Sequence, residues 1–151
     1  MEAAAMAEPS DADQATHVVT NFVLRRDRGH DELLLVQRSG RVRTYQGAWA
    51  GISGYVEPGV TPLQQAYTEL SEEARLSQQD LRLLRTGEPL AFRDESIQQS
   101  WVVHPFLFEI EQPERVRTDW EATSMQWVTP KQLRQLPTVP MLVEALQRVY
   151  P

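Results

Sequence analysis

Apolar and polar residues alternate along the chain in a way that predicts several short strands and three helices. Residues 17–24, HVVTNFVL, are rich in β-branched and aromatic side chains, and residues 32–38 carry the apolar block LLLV; both have strand length. The charged segment between them, residues 25–31, contains Gly29 and predicts a hairpin with a polar tip. Residues 49–56 predict a third strand, and residues 80–85 and 88–94 predict two more or one strand with a bend. The run SWVVHPFLFEI at 100–110 is the most strand-like of all, and its Pro105, which lacks an N–H, predicts an edge or a bulge near His104.

The period changes after residue 60. Leu63, Ala66, Tyr67, Leu70 and Ala74 recur at helical spacing, behind Thr61 as N-cap and Pro62 at the first helical position. Glu57-Pro58-Gly59 reads as a turn, so residues 49–76 form a strand, loop and helix. Thr129-Pro130 predicts a second, short helix toward Leu136, by the same capping logic. Pro140 predicts the start of the last helix, which buries Leu142, Val143, Leu146 and Val149.

Chemistry enters on the first helix. Glu69, Glu72 and Glu73 are spaced so that an α-helix puts all three carboxylates on one face, where they repel each other. A divalent cation would offset that repulsion, and hard ions such as Mg²⁺ favour clustered carboxylate oxygens shared with substrate phosphates. Upstream, Arg38, Arg41 and Arg43 precede Tyr45 in a locally basic loop. Guanidinium groups match phosphate oxygens, so Arg41, Arg43 and Tyr45 are candidate substrate contacts. The polar loop Arg93-Asp94-Glu95-Ser96 is a candidate for a base or for substrate contacts, and His104 is more readily explained by packing or a structural hydrogen bond.

Residues 54–76, GYVEPGVTPLQQAYTELSEEARL, resemble the Nudix box, in which Gly, five residues, Glu and seven residues precede Arg-Glu-apolar-x-Glu-Glu-x-Gly-apolar. The match holds at Gly54, Glu69, Leu70, Glu72, Glu73 and Leu76. Val60 stands where the pattern has its first Glu, Thr68 where it has Arg and Arg75 where it has its last Gly. The resemblance extends more weakly over residues 17–150. It implies a fold of α/β class, α+β type: a Nudix-like α/β/α sandwich with a mixed central sheet. It further implies a Mg²⁺- or Mn²⁺-dependent hydrolase that cleaves a diphosphate linkage in a nucleoside diphosphate derivative. Glu69, Glu72 and Glu73 would be ligands or base, Ser53 would offer a main-chain carbonyl to the metal, and Glu121, six residues before Trp127, would assist. Losing the box Glu and Arg together strands neither charge, but it also removes the cation that positions the neighbouring glutamate. A Nudix-like domain that binds a nucleotide or sugar phosphate without turnover is the competing reading, and a homodimer is an assembly the family commonly adopts.

Composition narrows the partners. Acidic residues outnumber basic ones by 21 to 15, a formal charge of −6, which argues against bulk binding to nucleic acid or to an anionic membrane. A small phosphorylated molecule is the expected partner. No cysteine is present, so disulfides, thiolate metal sites and cysteine nucleophiles are excluded. Residues 1–15 are Ala-rich and acidic and predict a mobile tail ahead of one domain over 16–151. With no long apolar run, a cytoplasmic location is the expectation.

Overall fold

β1 (Thr16–Asp27) is the strand around which the sheet is assembled. The structure is a computed structural model that describes residues 14–40, 42–117 and 122–150. On one side β1 runs parallel to β7 (Gln99–Ile110), in register from Thr16 opposite Trp101 to Leu24 opposite Glu109. On the other side it changes partner. Residues 18–21 pair antiparallel with β4 (Ile52–Tyr55), and residues 24–27 pair antiparallel with β2 (His30–Arg38). β2 also carries β3 (Trp49–Ala50) and β8 (Ala122–Val128), and β7 carries β5 (Leu81–Thr86) and β6 (Leu90–Asp94). Among the described residues these make one mixed, eight-stranded sheet.

Two local expectations change in the structure. The β1–β2 hairpin is tighter than a tip over residues 25–31. Arg25 pairs with Glu32 at 2.7 Å and Arg26 with Asp31 at 2.8 Å across the strands, which carries the ladder to Asp27 opposite His30. Arg28 and Gly29 alone make the turn, both with positive φ (52° and 80°), as a two-residue hairpin turn of this hand requires. Pro105 marks neither an edge nor a bulge of its own strand, because β7 is an inner strand. The proline sits where the antiparallel partner of β7 changes from β6 (residues 99–103) to β5 (residues 106–110), and its carbonyl accepts the Gly87 N–H at 3.0 Å. The register shift lies in β5, between Leu83 and Arg85.

Alternation along β1 sends its side chains into two cores. Phe22 and Leu24 pack with Leu133, Leu142, Ala145 and Leu146, while Val19 and Val23 pack with Ala66, Leu70 and Ala74. Each fully buried side chain of this size contributes about 1.5–3 kcal/mol relative to exposure. One face is therefore covered by α1 (Pro62–Ala74) and the other by α2 (Pro130–Leu133) and α3 (Leu142–Gln147). This is the expected α/β/α sandwich of α+β type with a mixed sheet. α2 is shorter than a helix reaching Leu136, and α3 starts after Met141, whose φ is 68°, rather than at Pro140. Among the described residues no helix is long and apolar enough to cross a membrane.

α1 is fixed at both ends. Thr61 Oγ1 accepts the Gln64 N–H at 3.2 Å and Gln64 Oε1 accepts the Thr61 N–H at 2.9 Å, a reciprocal cap. At the far end Arg75 is left-handed (φ 59°), its N–H reaches the Ser71 carbonyl at 3.1 Å and the Leu76 N–H reaches Leu70 at 3.1 Å. Leu76 then drops into the core. In the middle, Asn21 of β1 donates from Nδ2 to the Ala66 carbonyl at 3.3 Å and ties the helix to the sheet.

Candidate active site

Beyond residue 21 of β1, its partner on one side changes from β4 to β2, and a cleft of about 330 Å³ draws its lining from both of those strands. One wall is acidic. Glu69 and Glu73 reach it from α1, opposite Ser53 and Gly54 of β4. Gly54 leaves room there for the Glu69 carboxylate, which a Cβ at this residue would displace. Gln65, one helical turn earlier and 3% exposed, donates from Nε2 to Glu69 Oε2 at 2.8 Å. Burial pushes the Glu69 carboxyl above the usual carboxylate range, hydrogen bonds with Glu73 and Gln65 oppose the rise, and the charges of Glu72 and Glu57 add to it.

Facing this wall is Arg38, the last residue of β2. Its Nε donates to the Thr44 carbonyl at 2.8 Å and its Nη2 to Thr44 Oγ1 at 3.3 Å. Burial lowers its pKa, and Tyr55, Glu73 and Tyr45 counter that by favouring the charged form. The loop that follows closes on the same residue, with Arg38 N–H to the Ala48 carbonyl at 2.9 Å and Gly47 N–H to the Arg38 carbonyl at 2.8 Å. Tyr45 in that loop has φ 51° and lines the cleft. Burial, followed by its bond to Asp94, raises the Tyr45 hydroxyl far above its ordinary value, so it stays a neutral donor to Asp94 Oδ2 at 2.8 Å. Burial would raise Asp94, but hydrogen bonds from Ser96 and Tyr45 outweigh it and hold the carboxylate below its usual value.

The remaining walls are apolar and aromatic: Phe92, Trp101, Tyr55 and Met141. Trp101 lies 6.3 Å from the Tyr45 ring, and 6.4 Å from the Tyr55 ring with only 18° between those two planes. Tyr55 is 54% exposed, a large aromatic surface open to solvent beside the cleft.

The candidate residues divide. The structure brings Glu69, Glu73, Ser53 and Tyr45 together in the cleft. Glu72 is exposed and lines a separate shallow hollow on the outer side of α1, although its charge reaches Glu69. Arg43 is exposed and outside the cleft lining, and Arg41 and Glu121 lie outside the described residues. His104 is half-buried and its Nε2 sits 2.9 Å from His17 Nδ1, a bond between strands rather than a cleft contact. Among the described residues no group of three or more His, Asp or Glu side chains is gathered for a metal ion. A Glu69–Glu73 pair nonetheless suits Mg²⁺, which takes one or two carboxylates and completes its shell with substrate phosphates and water.

Arg41 and Arg43 are the basic contacts the sequence suggests, and Arg38, Gln65, Trp101 and Tyr55 are residues of the site that it does not single out. A signal for Arg38 was present: Leu34 and Val36 face the α1 side, and strand alternation carries Arg38 to that same side. For Gln65 the signal was its i,i+4 spacing from Glu69. The aromatic wall depends on pairings between distant strands and has no local signal.

The sequence profile of the NUDIX domain matches residues 15–149. No curated protein matches the chain in sequence. Among solved structures, the fold is similar to that of a C. elegans Ap4A hydrolase in a binary complex, with a TM-score of 0.74 at 20% identity over 89% of this chain and 94% of that one. It is also similar to the E. coli dihydroneopterin triphosphate pyrophosphohydrolase, at 0.72 and 19% over 88% and 94%. A third is the NUDIX domain of Shewanella oneidensis NrtR complexed with ADP ribose, at 0.70 and 15% over 94% and 90%. With a profile match spanning all eight strands and all three helices, the chain belongs to the NUDIX domain family.

Proposed function

We propose that this chain is a metal-dependent hydrolase that cleaves a diphosphate linkage in a nucleoside diphosphate derivative. The observation that carries the reading is the Glu69–Glu73 pair facing the Arg38 guanidinium across a cleft whose other end is aromatic. Glu69 and Glu73, with the Ser53 main chain, would hold Mg²⁺ or Mn²⁺, and Glu72 adds negative charge from the solvent side. The bound ion supplies charge neutralisation at the diphosphate and lowers the pKa of a coordinated water. Arg38 takes phosphate oxygens from the opposite side and holds the linkage in line. A carboxylate oxygen of Glu69 or Glu73, whichever is free of the ion, accepts the proton of the attacking water. Tyr45, Tyr55 and Trp101 offer ring faces to the nucleoside, with the Tyr45 ring anchored by Asp94. Glu121 remains an assisting ligand under this proposal.

The names of the structurally similar proteins supply the first probes: Ap4A, dihydroneopterin triphosphate and ADP ribose. Chromatography of each compound after incubation with the protein and Mg²⁺ or Mn²⁺, and again with EDTA, is the test. The expected result is cleavage at a phosphorus–oxygen–phosphorus linkage that EDTA abolishes, and a KM that rises roughly tenfold or more in Arg38→Ala through loss of a charge-assisted phosphate contact. Binding of a compound without cleavage under any metal would instead support the competing ligand-binding domain.

A further inference from the structure

We propose that Gln65 is the positioning residue for Glu69, filling the role that the family pattern gives to the arginine replaced here by Thr68. The inference rests on the reading of Glu69 as a metal ligand. Thr68 cannot fill the role, because its hydroxyl is turned back to the Gln64 carbonyl at 3.1 Å. Gln65 is nearly sealed from solvent and uses both ends of its amide. Its Oε1 accepts the Glu57 main-chain N–H at 3.2 Å, and its Nε2 donates to Glu69 Oε2 at 2.8 Å. The first bond settles which end of the amide faces which way, since only oxygen can accept from that N–H. The side chain is thereby anchored to the loop leaving β4 and aims a donor at the carboxylate. The Glu69 carboxylate lies between this donor and the bare α-carbon of Gly54.

A neutral amide also explains how the site tolerates Val60. An arginine at residue 68 would need the acidic partner that Val60 does not provide, whereas an amide orients the carboxylate and strands no charge. It leaves the full negative charge of Glu69 for a cation, which a guanidinium would compete for. Partners that orient a ligand in this way typically contribute about 10–100-fold to metal affinity.

The test is Mn²⁺ binding to the full chain, followed by the electron paramagnetic resonance of free Mn²⁺. It compares wild type, Gln65→Met, Glu69→Gln and the double variant, with the metal-free melting temperature of each recorded alongside. Met keeps the length of Gln and removes the amide. Gln65→Met is expected to weaken Mn²⁺ binding by about 10–100-fold, and the double variant to bind no more weakly than Glu69→Gln alone. A purely structural residue would instead weaken both backgrounds by the same factor, and that multiplication overturns the proposal. So does wild-type affinity in Gln65→Met when Glu69→Gln weakens binding. If Glu69→Gln itself leaves Mn²⁺ affinity unchanged, the metal reading of Glu69 falls first and this assignment falls with it. Should Gln65→Met fail to fold, Gln65→Asn, whose shorter amide cannot span both partners, gives the same comparison with the same expected direction.

Discussion

Arg75 occupies a left-handed backbone position (φ 59°) at the end of α1, where the family pattern has glycine. A residue with a Cβ is strained there, and the cap bonds to Leu70 and Ser71 hold it in place. Arg75→Gly is expected to stabilise the protein by about 1 kcal/mol, read as a higher urea midpoint at unchanged slope. An unchanged midpoint would contradict this account of the helix end. Glu69 carries the opposite kind of strain. Its pKa is raised in the folded chain, chiefly by burial, so between the unfolded value near 4.5 and the folded one the native state holds more protons. Stability without metal therefore rises as pH falls through the folded pKa, and the penalty is present above it. Glu69→Gln is expected to raise the metal-free melting temperature at pH 7.5; a lower one would mean that the carboxylate is stabilising, not strained.

At the scale of elements, the parallel contact between β1 and β7 joins parts of the chain more than eighty residues apart, and the His17–His104 bond sits on that seam. His104 has a lowered pKa, from burial first and then from the neighbouring imidazole. The unfolded chain accepts a proton near 6.5 that the native His104 resists, so stability is intact above that pH and is lost as pH falls from 6.5 through the lowered folded value. Melting temperature against pH should show this slope in wild type and a shallower one in His104→Gln. Equal slopes would place the loss elsewhere. α1 illustrates the other extreme, an element whose start depends on four consecutive residues. Thr61, Pro62 and Gln64 form the cap with no help from distant strands, and for that reason the helix start was legible from the sequence.

For the whole molecule, what was legible follows the range of the interactions involved. The capped start of α1 is set by neighbouring residues and was readable as such, whereas of the three glutamates expected on one face only Glu69 and Glu73 reach the cleft and Glu72 turns to the outer side. Strand partners were not: Pro105 read locally as an edge marker, but β7 lies inside the sheet and the proline falls where β6 gives way to β5. The same limit explains the basic contact. Arg38, Arg41 and Arg43 are equivalent as composition; strand alternation sets Arg38 on the α1 side, and the fold of the loop back onto it separates the cleft-lining Arg38 from the exposed Arg43. The aromatic wall joins Tyr45, Tyr55 and Trp101 from three separate parts of the chain, brought together only once β1 has paired with β4 and β7.

If the half-buried Glu69 and Glu73 of α1 form a hydrolytic metal site, as proposed, comparing wild type with Glu73→Gln will show it. The measurement is the initial rate of Ap4A, dihydroneopterin triphosphate and ADP ribose cleavage in saturating Mg²⁺ at pH 7.5, with both proteins shown to be folded. The expected result is metal-dependent turnover of at least one compound by wild type and a kcat lower by a factor of about 100 or more in Glu73→Gln, in line with loss of a ligand or base. Turnover that survives in Glu73→Gln would contradict the assignment of the site.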